Sequence, residues 1–333
     1  MNKTFFFILG IIGIGFLQGE ESLSEFHRGV VLPLYGNSKA DYTEYLKEIQ
    51  NLNASHVSFL IRCYMNDQKS NQIISAFGIT PSDSVVEALA LKSKNLGLKV
   101  TLLPVIFLAY PKSDAEWRGN LAPTDWDEWW DSYSSFLLHY AHLAIRCQAS
   151  VLSIGSELAT TEIFTDRWKT LIQSIRSIYS GTLTYSANWD HYDEVTFAGE
   201  LDFLGVSGYY ELTKNLNPKK EQLTEGWQRF LTKLVQWAEK YKKPLVFMEI
   251  GYASQNGCAS KPWNYFLSEL VDLAEQELCF EVLFEVWEKI PCFRGLYAYH
   301  WWGEGGPTDN GYNLRQKPAA KSLQQWFTKM KDQ

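Results

Sequence analysis

"VLSIGSELATTE", residues 151–162, is the stretch on which the fold turns. Apolar and small residues run up to Gly155-Ser156, and then a carboxylate, Glu157, appears. The run is too short for an ordinary helix and does not alternate strictly, as expected of a strand buried on both faces. A Glu at the end of such a strand has three readings. It can favour a following helix N-terminus through the dipole, it can hold an ion pair, or it can be a catalytic acid.

The surroundings of this stretch narrow the choice. Similar runs precede it at "GVVLPLYG" (29–36), "SHVSFLIRC" (55–63) and "LKVTLLPVIFL" (98–108). Others follow at "GTLTYSANW" (181–189), "LDFLGVSGYY" (201–210), "KPLVFMEIGY" (243–252) and "FRGLYAYHWW" (293–302). Helical patterns lie between them. "TDRWKTLIQSIRSIYSG" (165–181) places Trp168, Leu171, Ile172, Ile175 and Ile178 on one stripe, with Thr165 as N-cap and Gly181 as stop. The segments 124–144, 225–243 and 318–331 read as further amphipathic helices, the first capped by Thr124. Eight buried runs alternating with helices predict an α/β protein, a single (β/α)8 TIM barrel. The rival, a doubly wound sheet, would favour a glycine-rich phosphate turn after the first strand, and "LYGNSKADY" (34–42) is not one.

Composition bounds the function. The net charge of −7 argues against a nucleic-acid or anionic-membrane surface. Thirteen Trp, 18 Tyr and 19 Phe supply flat apolar faces that suit stacking ligands such as sugars, and Trp129-Trp130 and Trp301-Trp302 stand near chain turns. Lys3 followed by "TFFFILGIIGIGFL" (4–17) reads as a signal peptide, residues 1–19, because the apolar run falls short of a membrane span. An uncleaved anchor is the alternative. The rest, 20–333, then forms one catalytic domain that is secreted or periplasmic, off the membrane after cleavage, and monomeric. Five cysteines leave at least one unpaired, and Cys258, Cys279 and Cys292 lie close enough in sequence for one disulfide. Without a C-x-x-C pair, and with His139 and His142 on a helix lacking nearby carboxylate ligands, no metal site is expected.

In a parallel barrel, reactive groups gather at the C-terminal ends of the strands. There the sequence places Arg62, Glu157, Asn188-Trp189, Tyr209-Tyr210, Glu249 and His300-Trp301-Trp302. Glu157 closes the fourth run and Glu249 the seventh, so two carboxylates can converge across a narrow mouth. Such a pair is what glycoside hydrolysis requires: one carboxylic acid protonates the leaving oxygen, and the other attacks the anomeric carbon or activates water. Glu249 follows five apolar residues, "PLVFM", which makes an idle surface acid a poor reading. Glu162, Glu211 and Glu304 read as loop acids.

These residues also resemble a known group. "WRGNLAPTDWDEWWDSY" (117–133), "IGSELATTE" (154–162), "YSGTLTYSANWD" (179–190), "LDFLGVSGYY" (201–210), "PLVFMEIGY" (244–252) and "NLRQKPA" (313–319) are similar, in this order, to the retaining (β/α)8 glycosidases with catalytic Glu on strands four and seven, and within them to glycoside hydrolase family 113, the β-mannanases. The resemblance covers residues 28–328. It implies a retaining endo-β-1,4-mannanase that needs no cofactor and acts on a β-linked polysaccharide or oligosaccharide. Glu157 would be the acid/base and Glu249 the nucleophile. Arg62 and Tyr209 would keep Glu249 ionised, with its pKa low and that of Glu157 raised. Asn188, Trp189 and Tyr210 would line the sugar site, with Trp301 or Trp302 as its floor. Ser156 departs from the wider group, where Asn commonly precedes the acid/base. A glucanase, a xylanase or a transglycosylase on the same fold remains an alternative, as does a catalytically silent carbohydrate-binding barrel.

Overall fold

The computed structural model describes residues 25–36, 41–76, 78–113 and 115–331. The expected signal peptide lies outside these residues. The chain runs β1 (His27–Leu34), α1 (Tyr42–Asn51), β2 (His56–Met65), α2 (Asp83–Asn95), β3 (Lys99–Leu108), α3 (Trp126–Arg146), β4 (Val151–Ser156), α4 (Thr165–Arg176), β5 (Thr182–Asn188), β6 (Leu204–Ser207), α5 (Lys220–Tyr241), β7 (Leu245–Ile250), α6 (Leu273–Trp287), β8 (Phe293–Tyr299) and α7 (Pro318–Lys331). The strands pair in chain order and β8 closes on β1, all parallel, giving the expected barrel. Between β5 and β6 the crossover is made by two 3₁₀ turns, Tyr192–Glu194 and Ala198–Glu200, instead of an α-helix.

The strands show no simple apolar alternation because both of their faces are covered. Val31, Leu60, Leu103, Val105, Val151, Phe203, Val246, Met248 and Tyr297 fill the barrel interior. The outward faces meet a sleeve rich in aromatics, including the fully buried Trp129, Trp168, Trp227 and Trp287. Much of the tryptophan content is therefore core. Trp129 and Trp130 sit buried on α3 and offer no stacking platform to solvent. At ~200 Å² of ring each, such burial contributes on the order of 5 kcal/mol per side chain before the entropy of ordering.

Several helix boundaries differ from expectation; α5, for one, starts at Lys220, five residues before the expected 225. Asp125, not Thr124, caps α3, accepting from the N–H of Asp127 (2.9 Å) and Glu128 (3.1 Å). A carboxylate one residue on serves both donors and places a negative charge at the helix start. Phe164 occupies the cap of α4 without a side-chain bond, and that helix ends at Arg176, before Gly181. Thr165 instead turns its hydroxyl to Thr196.

The floor of the barrel is polar. His27 and His56 stack with ring centroids 4.1 Å apart. His27 Nδ1 lies 3.0 Å from Tyr297 Oη, which is 2.7 Å from Thr101 Oγ1. Burial pushes the His27 imidazole down to about 3 and lowers that of His56 well below its usual value. Gly295, at φ +129°, makes this closure feasible: a Cβ there would meet the His27 carbonyl oxygen at 2.2 Å. None of the five cysteines is disulfide-bonded, so the suggested bridge among the last three does not form. His139 pairs with Asp83, and among the described residues no three His, Cys, Asp or Glu side chains are grouped to hold a metal.

Candidate active site

Glu157 and Glu249 lie at the same rim of the barrel and are nearly buried, at 6% and 4% exposure. Glu157 directly follows β4 and adopts φ +55°, a left-handed conformation that costs a residue with a Cβ about 1 kcal/mol or more. Neighbouring bonds hold it there. Its N–H donates to Ser186 O (2.8 Å), and the next N–H, of Leu158, donates to Tyr185 Oη (2.7 Å). Tyr185 in turn donates to Glu162 Oε1 (2.6 Å), whose other oxygen meets His191 Nδ1 at 2.7 Å. Glu162, expected to be a loop acid, is thus a fully buried strut beneath the turn. Gly155 completes the arrangement: a Cβ there would approach the Tyr185 ring to 2.8 Å and Tyr133 Oη to 2.9 Å.

Glu249 sits on β7, beside Ser207 of β6. Tyr209 Oη donates to its Oε2 at 3.2 Å, while Oε1 is buried with no partner among the described residues. A buried carboxylate with one oxygen held and the other bare is uncommon, because buried polar atoms are nearly always paired. That oxygen keeps its lone pairs unused. Burial, then the charge of Glu157, push the Glu249 carboxyl up to about 7, with Arg118 and Tyr209 acting in the opposite direction.

The arginine at this site is not the expected one. Arg62 on β2 holds its guanidinium carbon 4.8 Å from the Tyr35 ring centroid and 4.7 Å from that of Phe107, and its Nε has no partner. It makes no hydrogen bond to Glu249. Arg118 fills the central position. It rises from a 3₁₀ turn, Arg118–Asn120, in the β3–α3 loop and donates from Nη2 to Glu157 Oε2 at 2.5 Å. The charges of Glu157 and Glu249, in that order, help raise its own pKa. The expected pattern, with Glu249 held low by Arg62, is not found: burial and the charge of Glu157 raise the Glu249 carboxyl, and the cation that opposes them is Arg118.

The aromatic residues divide between mouth and core. Tyr209 faces the mouth, but Tyr210, the next residue, faces the opposite way into the sleeve against Trp227 and Phe230. Adjacent residues in extended chain point to opposite sides, so both could not line one site. Asn188 lies at the end of β5, its Oδ1 accepting from the N–H of Trp189 (3.0 Å). Trp189 stacks on Trp263 and packs beside the Tyr209 cluster. Trp301 turns away from the mouth: its Nε1 donates to Glu48 (2.7 Å), which is also gripped by Arg315. Trp302 instead lies against Tyr35, 4.7 Å between centroids, next to Arg62, with Nε1 unpartnered. Ser156 Oγ is buried and has no partner. Tyr299 and Tyr312, which the strand-end reasoning missed, complete the wall around Tyr209. A cavity of about 470 Å³ behind Trp189, bordered by Lys214 and Arg229, lies away from the two carboxylates.

The model of Glycoside Hydrolase Family 113 matches residues 34–329. The fold is similar to that of a family 113 β-mannanase from Alicyclobacillus acidocaldarius, solved in complex with ManMIm, at 26% identity and TM-score 0.82, over 92% of this chain and 98% of that one. A second family 113 structure, described as a β-1,4-mannanase, is 25% identical with TM-score 0.80, over 91% and 99% of the two chains. A β-glucuronidase from Faecalibacterium prausnitzii shares the fold alone, at 16% identity and TM-score 0.61, with 49% of its length covered. No curated protein matches the chain.

Proposed function

The chain belongs to glycoside hydrolase family 113, and from that membership we propose that it is an endo-acting, retaining β-1,4-mannanase with Glu249 as nucleophile and Glu157 as acid/base. The observation that carries the assignment is the bare, buried Oε1 of Glu249 beside an Oε2 fixed by Tyr209. An attacking carboxylate needs one oxygen oriented and the other unencumbered.

In the first step, Glu249 attacks the anomeric carbon while the glycosidic C–O bond breaks and Glu157 gives its proton to the departing oxygen. In the second, Glu157 takes a proton from water, whose oxygen displaces the Glu249 carboxylate from the sugar. Two carboxyls sharing one site resist ionising together, and a nearby cation selects the one that ionises more readily. Arg118 can serve as that selector. Turned toward Glu249, its guanidinium would favour the ionised nucleophile more strongly. Asn188, Trp189 and Trp302 would line the sugar site, and Ser156 Oγ would be free to meet a sugar hydroxyl.

Product profiles on mannohexaose and cellohexaose test the reading, alongside Glu157→Gln and Glu249→Gln. Internal cleavage of mannohexaose with a first product of unchanged anomeric configuration is expected, lost in both variants. Inverted first product, full activity in a folded Glu249→Gln protein, or preference for cellohexaose would reject it. Lys3 and the apolar stretch 4–17 support export to the medium or periplasm. Retention of the full chain in the cytoplasm after expression in its natural host would count against that.

A further inference from the structure

The loop from β7 to α6 carries large apolar side chains that the catalytic assignment does not use. Trp263 is 41% exposed, Tyr265 54%, Phe266 82% and Leu270 70%. The loop is nonetheless firmly held. Gln255, fully buried, donates to Asn264 O and accepts from the N–H of Ser268 (3.2 Å). The N–H of Asn256 donates to Leu270 O (3.0 Å), Tyr312 Oη donates to Pro262 O, and Glu275 accepts from the N–H of Gly257 and of Ala259. A pinned loop that displays neighbouring rings to water adds little to folding, and exposed apolar patches of this kind mark binding surfaces.

The position of these rings identifies the ligand. Tyr265 lies against Phe266, centroids 4.3 Å apart, and 6.2 Å from Tyr312. Tyr312 is 6.0 Å from Tyr209, which bonds Glu249. Trp263 stacks on Trp189 at 5.2 Å with planes 16° apart. A file of aromatic rings thus runs from the candidate nucleophile out to the loop tip. We propose that the 263–270 strip binds successive sugar rings of a β-linked polysaccharide, as distal subsites continuous with the catalytic mouth, an inference that rests on the glycan-hydrolase reading above. The C–H faces of pyranose rings pack on aromatic faces, while their hydroxyls stay in water, which suits rings that are partly exposed and fixed in place. A lipid surface is a poorer occupant: Glu269 and Asp272 stand beside the strip with Lys261, where an anionic bilayer would call for a basic collar.

The test uses the full-length Glu157→Gln protein, which binds without turnover, and insoluble β-1,4-mannan. Adding Tyr265→Ser with Phe266→Ser is expected to weaken retention about tenfold for the loss of two ring contacts, with the thermal unfolding midpoint unchanged. Phe266→Tyr, which keeps the ring, should retain binding. Unaltered retention of the double variant overturns the proposal. So does aromatic-dependent binding to phosphatidylglycerol-containing vesicles in place of mannan, or a dimer in sedimentation that the double variant abolishes. Cleavage of mannohexaose by the wild type separates the two readings: if it cleaves while the double variant still binds mannan normally, only the strip is refuted. If the wild type cleaves no β-glycan and the Glu157→Gln parent is not retained, both fall.

Discussion

Arg118 Nη2 donates to Glu157 Oε2 at 2.5 Å, and the same guanidinium is close enough to Glu249 to lower that carboxyl's pKa against burial. One cation therefore acts on two acids for which opposite duties are proposed. Replacing Arg118 with Gln removes this influence, so the Glu249 pKa should rise further. As the proposed nucleophile, Glu249 must be ionised to attack, and kcat/KM follows ionisations of the free enzyme. The acid limb of the kcat/KM profile should move to higher pH, with the plateau falling roughly 10²–10³-fold. A limb that stays in place or moves down would rule out this role.

Glu249 also bears on stability. Its folded pKa, about 7, lies above the ordinary 4.5. Between those values the folded state binds more protons than the unfolded state, so stability from this group is fully present below about pH 4.5 and is lost as pH rises through about 7. Glu249→Gln, neutral at every pH, should unfold later than wild type at pH 8, by on the order of 2 kcal/mol. That advantage should vanish toward pH 4. Urea melts at the two pH values measure it, and a variant less stable at pH 8 would contradict the burial argument.

Tyr185 acts through the backbone of the Glu157 turn. Tyr185→Phe removes the acceptor of the Leu158 N–H and the donor to Glu162, costing about 1–3 kcal/mol of stability. A misplaced acid should matter most when the leaving group needs protonation. We expect kcat to fall for mannooligosaccharides and to change little for a dinitrophenyl mannoside, whose phenolate departs unaided. An equal fall on both substrates would mean general loosening of the site.

Adjacent tryptophans should behave differently. Trp301→Phe deletes the bond to Glu48 and should lower the unfolding midpoint, leaving KM near the wild-type value. Trp302→Ala should raise KM for mannohexaose severalfold, consistent with ~1 kcal/mol of stacking. Steady-state kinetics with differential scanning fluorimetry separates them, and exchanged phenotypes would move the floor of the sugar site to Trp301.

Much of the barrel could be read from short apolar runs because burial on both faces leaves that pattern in the chain. Both carboxylates were legible for the same reason: each interrupts an apolar run where a charge needs a purpose. What escaped was carried by loops. Arg118 lies ten residues past the end of β3, inside "WRGN", and strand-end reasoning looks only at the last residue of each run. Its flanking Trp117 and Gly119, with a Cβ on Gly119 only 2.3 Å from the Trp117 ring, were the available signal of a tight functional turn. Tyr210 was misplaced because both residues of a Tyr-Tyr pair were given one direction. Trp301 was misplaced because its partner, Glu48, lies on α1, at the far end of the sequence.

The stacked histidines at the floor have a consequence for where such a protein can live. His27 holds a folded pKa of about 3 against an ordinary 6.5, so the unfolded chain takes up more protons between those values and stability falls as pH drops through that window. Glu249, at the opposite rim, has the reverse preference. Between about pH 4.5 and 6.5 these contributions from the two ends of the barrel run in opposite directions. Because they are far apart, adaptation to a sourer habitat could proceed by exchanging floor imidazoles for apolar rings while the chemistry above is left alone.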